Sequence, residues 1–511
     1  MLHFRKNILV YSLILTSILS ANNTLAATKQ KDSKKIDFKE LKIDAPYKLF
    51  QPVLIADLKP DNGKELIILG VDEDKNKWLV IYQYDNSKNT YSVINKKQIP
   101  KQFYSFDISE YQEGVFQNLY FMSNNVLSKY NVALNTFETI SDIKSLFLKN
   151  EPEHITRAHF VKNLNKDIYD DILVSDFSNT HILIGQKEGT YISQSLPIPA
   201  EVNLHSDGAT YKQAKLYFED INFDKKIDIV KVGEGKMQVF YQIDDAKFKV
   251  IPNNIAIDKS ISGTEWWNKK DETGESLDQS KLTYRKLEEL RDVNFDGITD
   301  MVVRFTQVSG VLDRVNDYEI YLGKNTNQQL SYDNKPNSVI HAEGTLTDLE
   351  FVDIDNDNKS EVMLAGFDIG LSQIISAFLS GSIDQDVYLF KMDENDNYRK
   401  KPHVNKEVEL NFSLSSGQSG TAVVKLADLN GDGLKDLVLS DGDDELDIYF
   451  GQTGKKLFKR RAVEYNTQLP KDGNLVFVND LNNDGKDDLL LKFSKLDDNS
   501  SGHNFTILLS Q

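Results

Sequence analysis

The sequence predicts an all-β chain closed into a β-propeller of seven or eight four-stranded blades, with eight favoured by the repeat count. Three observations carry this. A nine-residue acidic frame, Asp-x-Asn-x-Asp-Gly-x-x-Asp, recurs along the chain. The residues between frames alternate with the period of strands. A strand ending in glycine returns after several frames, as in Asp447-Ile448-Tyr449-Phe450-Gly451, Glu319-Ile320-Tyr321-Leu322-Gly323 and His181-Ile182-Leu183-Ile184-Gly185. Short antiparallel strands in a repeated unit of about sixty residues suit a ring of blades.

Frames begin at Asp57, Asn163, Asp220, Asp292, Asp353, Asp428 and Asp480, and the first interval is about twice the others. The gap predicts a repeat without acidic ligands over Phe103–Ser109 and Val115–Phe121, which raises the count to eight. In the sharpest copy Thr421–Leu426 reads as the first strand, Asp436–Leu439 as the second, Glu445–Phe450 as the third and Leu457–Glu464 as the fourth. Too few strands follow Asp480 to complete a blade, so Phe38–Leu49 is the candidate ring-closing strand. An open β-solenoid is the alternative architecture.

Two longer intervals carry insertions within the propeller region 45–511. Residues 255–290 contain Trp266-Trp267 and a helix-like run at Leu282–Leu290. Residues 366–385 place Leu371, Ile374, Ile375 and Phe378 at i, i+3, i+4 and i+7, one apolar helix face. That face suits a helix packed on the ring or a docking helix.

Each frame assembles hard oxygen donors, the chemistry that Ca²⁺ requires. Side chains at positions 1, 3 and 5 turn inward, the position 7 carbonyl adds a ligand, and the acid at position 9 closes the shell. The candidate ligand sets are Asp428, Asn430, Asp432, Leu434 and Asp436; Asp480, Asn482, Asp484, Lys486 and Asp488; Asp292, Asn294, Asp296, Ile298 and Asp300; Asp353, Asp355, Asp357, Lys359 and Glu361; Asp220, Asn222, Asp224 and Asp228; and Asn163, Asn165, Asp167 and Asp171. Position 6 favours a left-handed backbone, which Gly433, Gly485 and Gly297 supply and Asn358 tolerates, whereas Lys225 and Ile168 suit it less. Lys59 at position 3 of the first copy repels a cation. About five or six bound ions are expected. An EF-hand loop needs an acid at position 12, where these copies carry Leu439, Leu491 and Val303.

The frame and its third-strand glycine resemble the FG-GAP/VCBS repeat family, which includes the integrin α-chain propeller and many secreted bacterial proteins. The resemblance covers residues from about 45 to 511. It implies a propeller in which the Asp loops bind Ca²⁺ between strands of a blade.

The rest of the sequence narrows the function. Arg5 and Lys6, the apolar stretch Ile8–Leu19 and Thr24-Leu25-Ala26 read as a secretory signal peptide over residues 1–26. Residues 27–44 follow as a charged leader running into the ring-closing strand. The expected location is across the inner membrane: periplasmic, cell-surface or extracellular. No later segment is apolar and long enough to span a bilayer. The net charge of −18 disfavours nucleic acid as a partner. The absence of cysteine removes disulfides and thiol catalysis, leaving calcium as a source of stability.

There is no Gly-x-Ser-x-Gly, His-Glu-x-x-His or phosphate-binding glycine loop. His154, His159, His181, His205, His341, His403 and His503 are scattered. The expected function is a non-catalytic binding or scaffold propeller for a protein partner. The alternative is a carbohydrate-binding or polysaccharide-processing propeller, with Trp266, Trp267 and tyrosines as the sugar platform.

Overall fold

A computed structural model describes residues 36–511 apart from 61–62, 147–153, 206–207, 269–274, 309–313, 343–344, 368–381, 414–417 and 498–500. The signal segment 1–26 and most of the leader lie outside the described residues. So do Leu371, Ile374, Ile375 and Phe378. The strands on either side of them, Glu361–Phe367 and Ser382–Phe390, are antiparallel neighbours.

Eight antiparallel blades follow one another along the chain. Blade 1 is Leu54–Ala56, Glu65–Val71, Lys77–Asp85 and Thr90–Gln98; blade 2 is Ser105–Ile108, Leu119–Met122, Val126–Asn131 and Thr136–Asp142. Blade 3 is Val161–Lys162, Asp171–Ser175, Thr180–Gly185 and Tyr191–Leu196; blade 4 is Tyr217–Glu219, Asp228–Val232, Lys236–Phe240 and Asn253–Ala256. Blade 5 is Thr283–Arg291, Asp300–Val308, Arg314–Tyr321 and Ser338–Ile340; blade 6 is Thr345–Val352, Glu361–Phe367, Ser382–Phe390 and Val404–Ser413. Blade 7 is Val424–Ala427, Asp436–Asp441, Glu445–Tyr449 and Val463–Asn466. Blade 8 takes Val476–Asn479, Asp488–Lys492 and Asn504–Ser510 from the C-terminal end and Phe38–Asp44 from the other, paired in register from Phe38↔Ser510 to Asp44↔Asn504. The repeat without an acidic frame is thus a complete blade.

The core lies between blades rather than within them. Leu66, Ile68 and Val80 of blade 1 pack with Leu490 and Ile507 of blade 8. Ile67, Leu69 and Leu79, on the opposite face of blade 1, pack with Phe106 and Phe121 of blade 2. The pattern repeats between blades 3 and 4, 4 and 5, 5 and 6, and 6 and 7. A second strand covered on both faces needs a continuous apolar run instead of alternation. Leu66-Ile67-Ile68-Leu69, Leu437-Val438-Leu439 and Leu489-Leu490-Leu491 are such runs, each residue at most 3% exposed.

The helix-like run at Leu282–Leu290 is instead the first strand of blade 5, Thr283–Arg291. A β-bulge between Leu287 and Glu289 adds one residue, so Leu287 and Leu290, three apart, pair with Val303 and Met301 on one face. The bulge imitates helical spacing. Trp267 is buried and stacks on Tyr284 at 3.8 Å between ring centroids. It packs the root of the insertion, which leaves half-buried Trp266 as the accessible member of the tryptophan pair. A separate hairpin, Glu201–His205 with Gly208–Lys212, stands between blades 3 and 4. Among the described residues no helix is long and apolar enough to cross a membrane.

Candidate metal centre

Each acidic frame is the loop between the first and second strands of its blade, and five loops share one hydrogen-bond scheme. The position 1 carboxylate accepts the amides of positions 5 and 6. Asp428 does so from Asp432 at 3.1 Å and Gly433 at 2.8 Å, and Asp480 from Asp484 and Gly485. Asp292, Asp353 and Asp220 repeat the pair. The position 5 acid accepts the amide of position 7 in all six loops, as Asp432 does from Leu434 and Asp167 from Tyr169. Two left-handed residues produce this curl. Position 6 is left-handed at Gly433, Gly485, Gly297, Asn358 and Lys225. Position 4 is left-handed too, at Gly431, Asn483, Phe295, Asn356, Phe223 and Lys166. The second requirement was not read from the sequence, although Gly431, Asn483 and Asn356 signal it.

The loop at Asn163 is built differently. Asn163 donates to the Asp167 carbonyl at 2.7 Å, and Ile168 at position 6 is not left-handed. In the loop at Asp57 residues 61–62 are outside the described set, and Lys59 donates to Gln83 at 3.2 Å.

Position 9 is 0% exposed at Glu65, Asp171, Asp228, Asp300, Glu361, Asp436 and Asp488. One oxygen of each accepts the amide of position 2, as Asp436 does from Leu429 at 3.1 Å and Asp488 from Leu481 at 2.9 Å. At the five aspartates the other oxygen accepts an amide at or just past the end of the third strand. The donors are Gly185, Gln242, Gly323, Gly451 and Ser510, at 2.8–2.9 Å. The position 9 acid is therefore a brace from loop to strand as well as a candidate ligand. In blades 3, 5 and 7 the residue there is glycine, close against the loop: a Cβ on Gly451 would lie 2.7 Å from the Lys435 carbonyl oxygen.

The acids at positions 5 and 1 lie near enough to the position 9 carboxyl to add to the cost of charging it. Burial pushes Asp171, Asp228, Asp300, Asp436 and Asp488 up to about 7, against the pull of their amide donors. Glu361 is pushed to about 7 by the same cause. Asn430 Oδ1 and Asn163 Oδ1 are buried without a hydrogen-bond partner. The oxygen-only donor set and these unpaired oxygens fit a hard divalent cation. In the loop at Asp353 the oxygens of Asp353, Asp355 and Asp357 converge within 4.8 Å of one another.

The loops are linked into a belt. The position 8 amide donates to a position 2 carbonyl of the preceding loop: Ser360 to Val293 at 3.1 Å, Lys435 to Ile354 at 3.3 Å and Lys64 to Leu481 at 2.9 Å. Asp487 donates instead to the Asp428 carbonyl at 2.8 Å, and its carboxylate accepts from Asp428 N and Lys435 Nζ. Blade 2 has no frame, and Asp170 of the next loop serves it. One oxygen, Asp170 Oδ2, accepts from Ser109, Asn118 and Tyr120 at 2.7–2.8 Å.

A second feature lies at the first strands of blades 8, 1, 2 and 3, which converge on a cavity of about 660 Å³. Phe106, Tyr111 and Phe477 line it with Asp107, Arg157, His159 and Lys162. Asp107 pairs with Arg157 at 3.0 Å and accepts the Val161 amide at 2.8 Å, and Lys162 pairs with Glu110 at 2.7 Å. Burial, then the nearby Arg157, hold the His159 imidazole below its ordinary value. Its backbone is left-handed at φ 49°.

Residues 428–491, which hold the frames of blades 7 and 8, match the FG-GAP-like repeat family. No curated protein matches the chain. Among solved structures, one similar chain is an Agrocybe aegerita lectin described for specific recognition of non-reducing terminal N-acetylglucosamine. It is 14% identical, with 74% of this chain and 82% of that chain covered and a TM-score of 0.37. The chain is thus an eight-bladed β-propeller whose residues 428–491 match an FG-GAP-like repeat.

Proposed function

We propose that this chain is a secreted, calcium-stabilised propeller that acts as a non-catalytic binding or scaffold protein of the cell envelope or exterior. The observation that carries the calcium reading is the recurrence of one oxygen-lined cage, with buried acids and no sulfur or imidazole donor, in successive blades. Residues Asp428, Asn430, Asp432 and Asp436, with the Leu434 carbonyl, hold one ion, and the loops at 480, 292 and 220 repeat the set. When bound, calcium supplies the positive charge that these buried carboxylates lack. The chain's own part is to preform the cage by its amide hydrogen bonds. The test is calcium stoichiometry by isothermal titration of the full secreted chain. Asp432→Ala and Asp484→Ala are each expected to lose one ion. Unchanged stoichiometry in both sinks the assignment.

A protein partner is favoured by the hairpin between blades 3 and 4. Val202, Leu204 and Tyr211 are 41%, 59% and 44% exposed there, with Phe177 against Tyr211. Exposed apolar side chains of this kind mark contact surfaces more often than chance. A glycan is the second reading, and the cavity favours it, since Tyr111, 62% exposed, stands beside paired acids and bases. Glycan-array binding that Tyr111→Ala abolishes and Leu204→Glu leaves intact selects the glycan. The opposite pattern with a captured partner selects the protein.

A further inference from the structure

Blade 6 departs from blades 3, 4, 5, 7 and 8 at three places, and the three departures meet. Position 3 is Asp355, where the loops at 163, 220, 292, 428 and 480 carry Asn165, Asn222, Asn294, Asn430 and Asn482. Position 9 is Glu361 rather than aspartate. The residue that follows the partner of position 10 on the third strand is Lys391, after the pair Val362↔Phe390. The same place is held by Ile184, Tyr241, Leu322, Phe450 and Leu509 in blades 3, 4, 5, 7 and 8. Five apolar or aromatic residues thus stand against one lysine.

The Lys391 ammonium reaches into the acid cage. It donates to Asp355 Oδ2 at 2.5 Å and Asp357 Oδ2 at 2.8 Å, and lies 3.4 Å from Glu361 Oε1. Those are side chains of positions 3, 5 and 9, three of the four that would bind an ion. Glu361 Oε1, the oxygen that in the aspartate loops accepts the strand-end amide, has no hydrogen-bond partner here. Asp355 Oδ1 is also buried and unpartnered. The charges match as well. Asp355 adds one negative charge to the three acids of an ordinary cage, and Lys391 returns one positive charge. Among the described residues, the frames at 163, 220, 292, 428 and 480 have no lysine ion pair to position 1, 3, 5 or 9.

We propose that Lys391 is a built-in cation: its ammonium sits in blade 6 where a calcium ion sits in the other loops, and this loop is held closed without metal. The calcium half of the comparison rests on the reading given above, but the lysine contacts do not. An ammonium donates along several directions; this one hydrogen-bonds two carboxylates and stands at ion-pair distance from a third. Calcium at 2.3–2.6 Å from the same oxygens could not share the volume with it. The ring therefore has fewer calcium sites than acidic frames.

The test is calcium stoichiometry by equilibrium dialysis, together with thermal unfolding in EDTA, on the full chain. Asp357→Asn in the otherwise unaltered chain is expected to leave stoichiometry unchanged, and loss of one ion overturns the proposal. The double variant Asp355→Asn/Lys391→Leu rebuilds the cage of the other blades and is expected to gain one ion. No gain in a folded double variant, with Asp432→Ala still losing one, overturns the lysine assignment and leaves the calcium reading intact. If no variant and no parent chain binds calcium, the calcium reading fails, and the EDTA arm decides the lysine alone. Lys391→Leu must then lower the melting temperature and Asp355→Asn/Lys391→Leu must restore part of it. An unchanged melting temperature in Lys391→Leu overturns the proposal.

Discussion

Replacing Asp436 with alanine separates the brace from the metal cage. Both Asp436 oxygens accept buried amides, from Leu429 at 3.1 Å and Gly451 at 2.8 Å. Each orphaned amide costs about 1–3 kcal/mol. Removing a carboxyl that burial already pushes up to about 7 returns part of that cost. The net loss in EDTA is therefore about 2–4 kcal/mol, by the same accounting of unpaired and desolvated groups. Asp432→Ala, by contrast, frees only the Leu434 amide, in an exposed loop, and in EDTA costs at most about 1 kcal/mol. Calcium at tenfold above its dissociation constant adds about 1.4 kcal/mol to the parent chain at this site, and Asp432→Ala forfeits it. Urea unfolding followed by tryptophan fluorescence, with EDTA and with calcium, reads all four quantities. If Asp436→Ala is no worse than Asp432→Ala in EDTA, position 9 is not a brace and the two amide bonds carry little weight.

Other consequences are as direct. Calcium should raise the melting temperature saturably, since the four loops at 220, 292, 428 and 480, at tenfold above the dissociation constant, add about 6 kcal/mol; no shift against EDTA refutes metal in the cages. Asp432→Ala and Asp484→Ala should be non-additive, because Asp428 and Asp487 exchange two hydrogen bonds between their loops, whereas Asp432→Ala and Asp224→Ala should add. Deleting Phe38–Asp44 uncovers seven register positions of Asn504–Ser510, and the open edge should lower the melting temperature and cause association visible in ultracentrifugation; an unchanged monomer refutes the closure. Burial lowers Lys77 to about 8 while its ammonium donates to the Phe103 carbonyl. The unfolded chain then binds the extra proton between about pH 8 and 10.4, so Lys77 makes stability rise with pH across that window and its full cost applies below it. Lys77→Met should flatten this rise, and parallel profiles would show that Lys77 is not the source.

The ring was legible because its repeat writes chemistry at fixed positions. Asp428, Asn430, Asp432, Gly433 and Asp436 each answer a separate local demand, so the frame survives even where Lys225 or Ile168 replaces glycine. The blade without a frame showed itself only as a doubled interval, since Phe106 and Phe121 serve packing and packing has no fixed signature. The sequence misled at Leu282–Leu290 because a β-bulge turns period two into period three for one step. Trp266-Trp267 suggested an exposed platform, yet Trp267 stacks on Tyr284, a contact made across an insertion whose path no local pattern dictates. Lys391 lies thirty residues from its cage, and only the register of blade 6 brings the two together.

Differences among the blades argue for what the loop must do. In five blades a position 9 aspartate ties the loop to the amide beyond the third strand. In blade 6 the longer Glu361 gives that oxygen up and meets an ammonium instead. In blade 2 the acidic loop is gone, and Asp170 of the neighbouring blade gathers Ser109, Asn118 and Tyr120. The constant element is a carboxyl group that accepts hydrogen bonds near the start of the second strand, whoever supplies it and whatever balances it. A blade has no core of its own, because its apolar side chains pack against the next blade. The fastening must therefore hold the strand ends while two blades close on each other. A cation in the loop meets that demand at low cost in sequence, and a lysine meets it where the third strand can carry one.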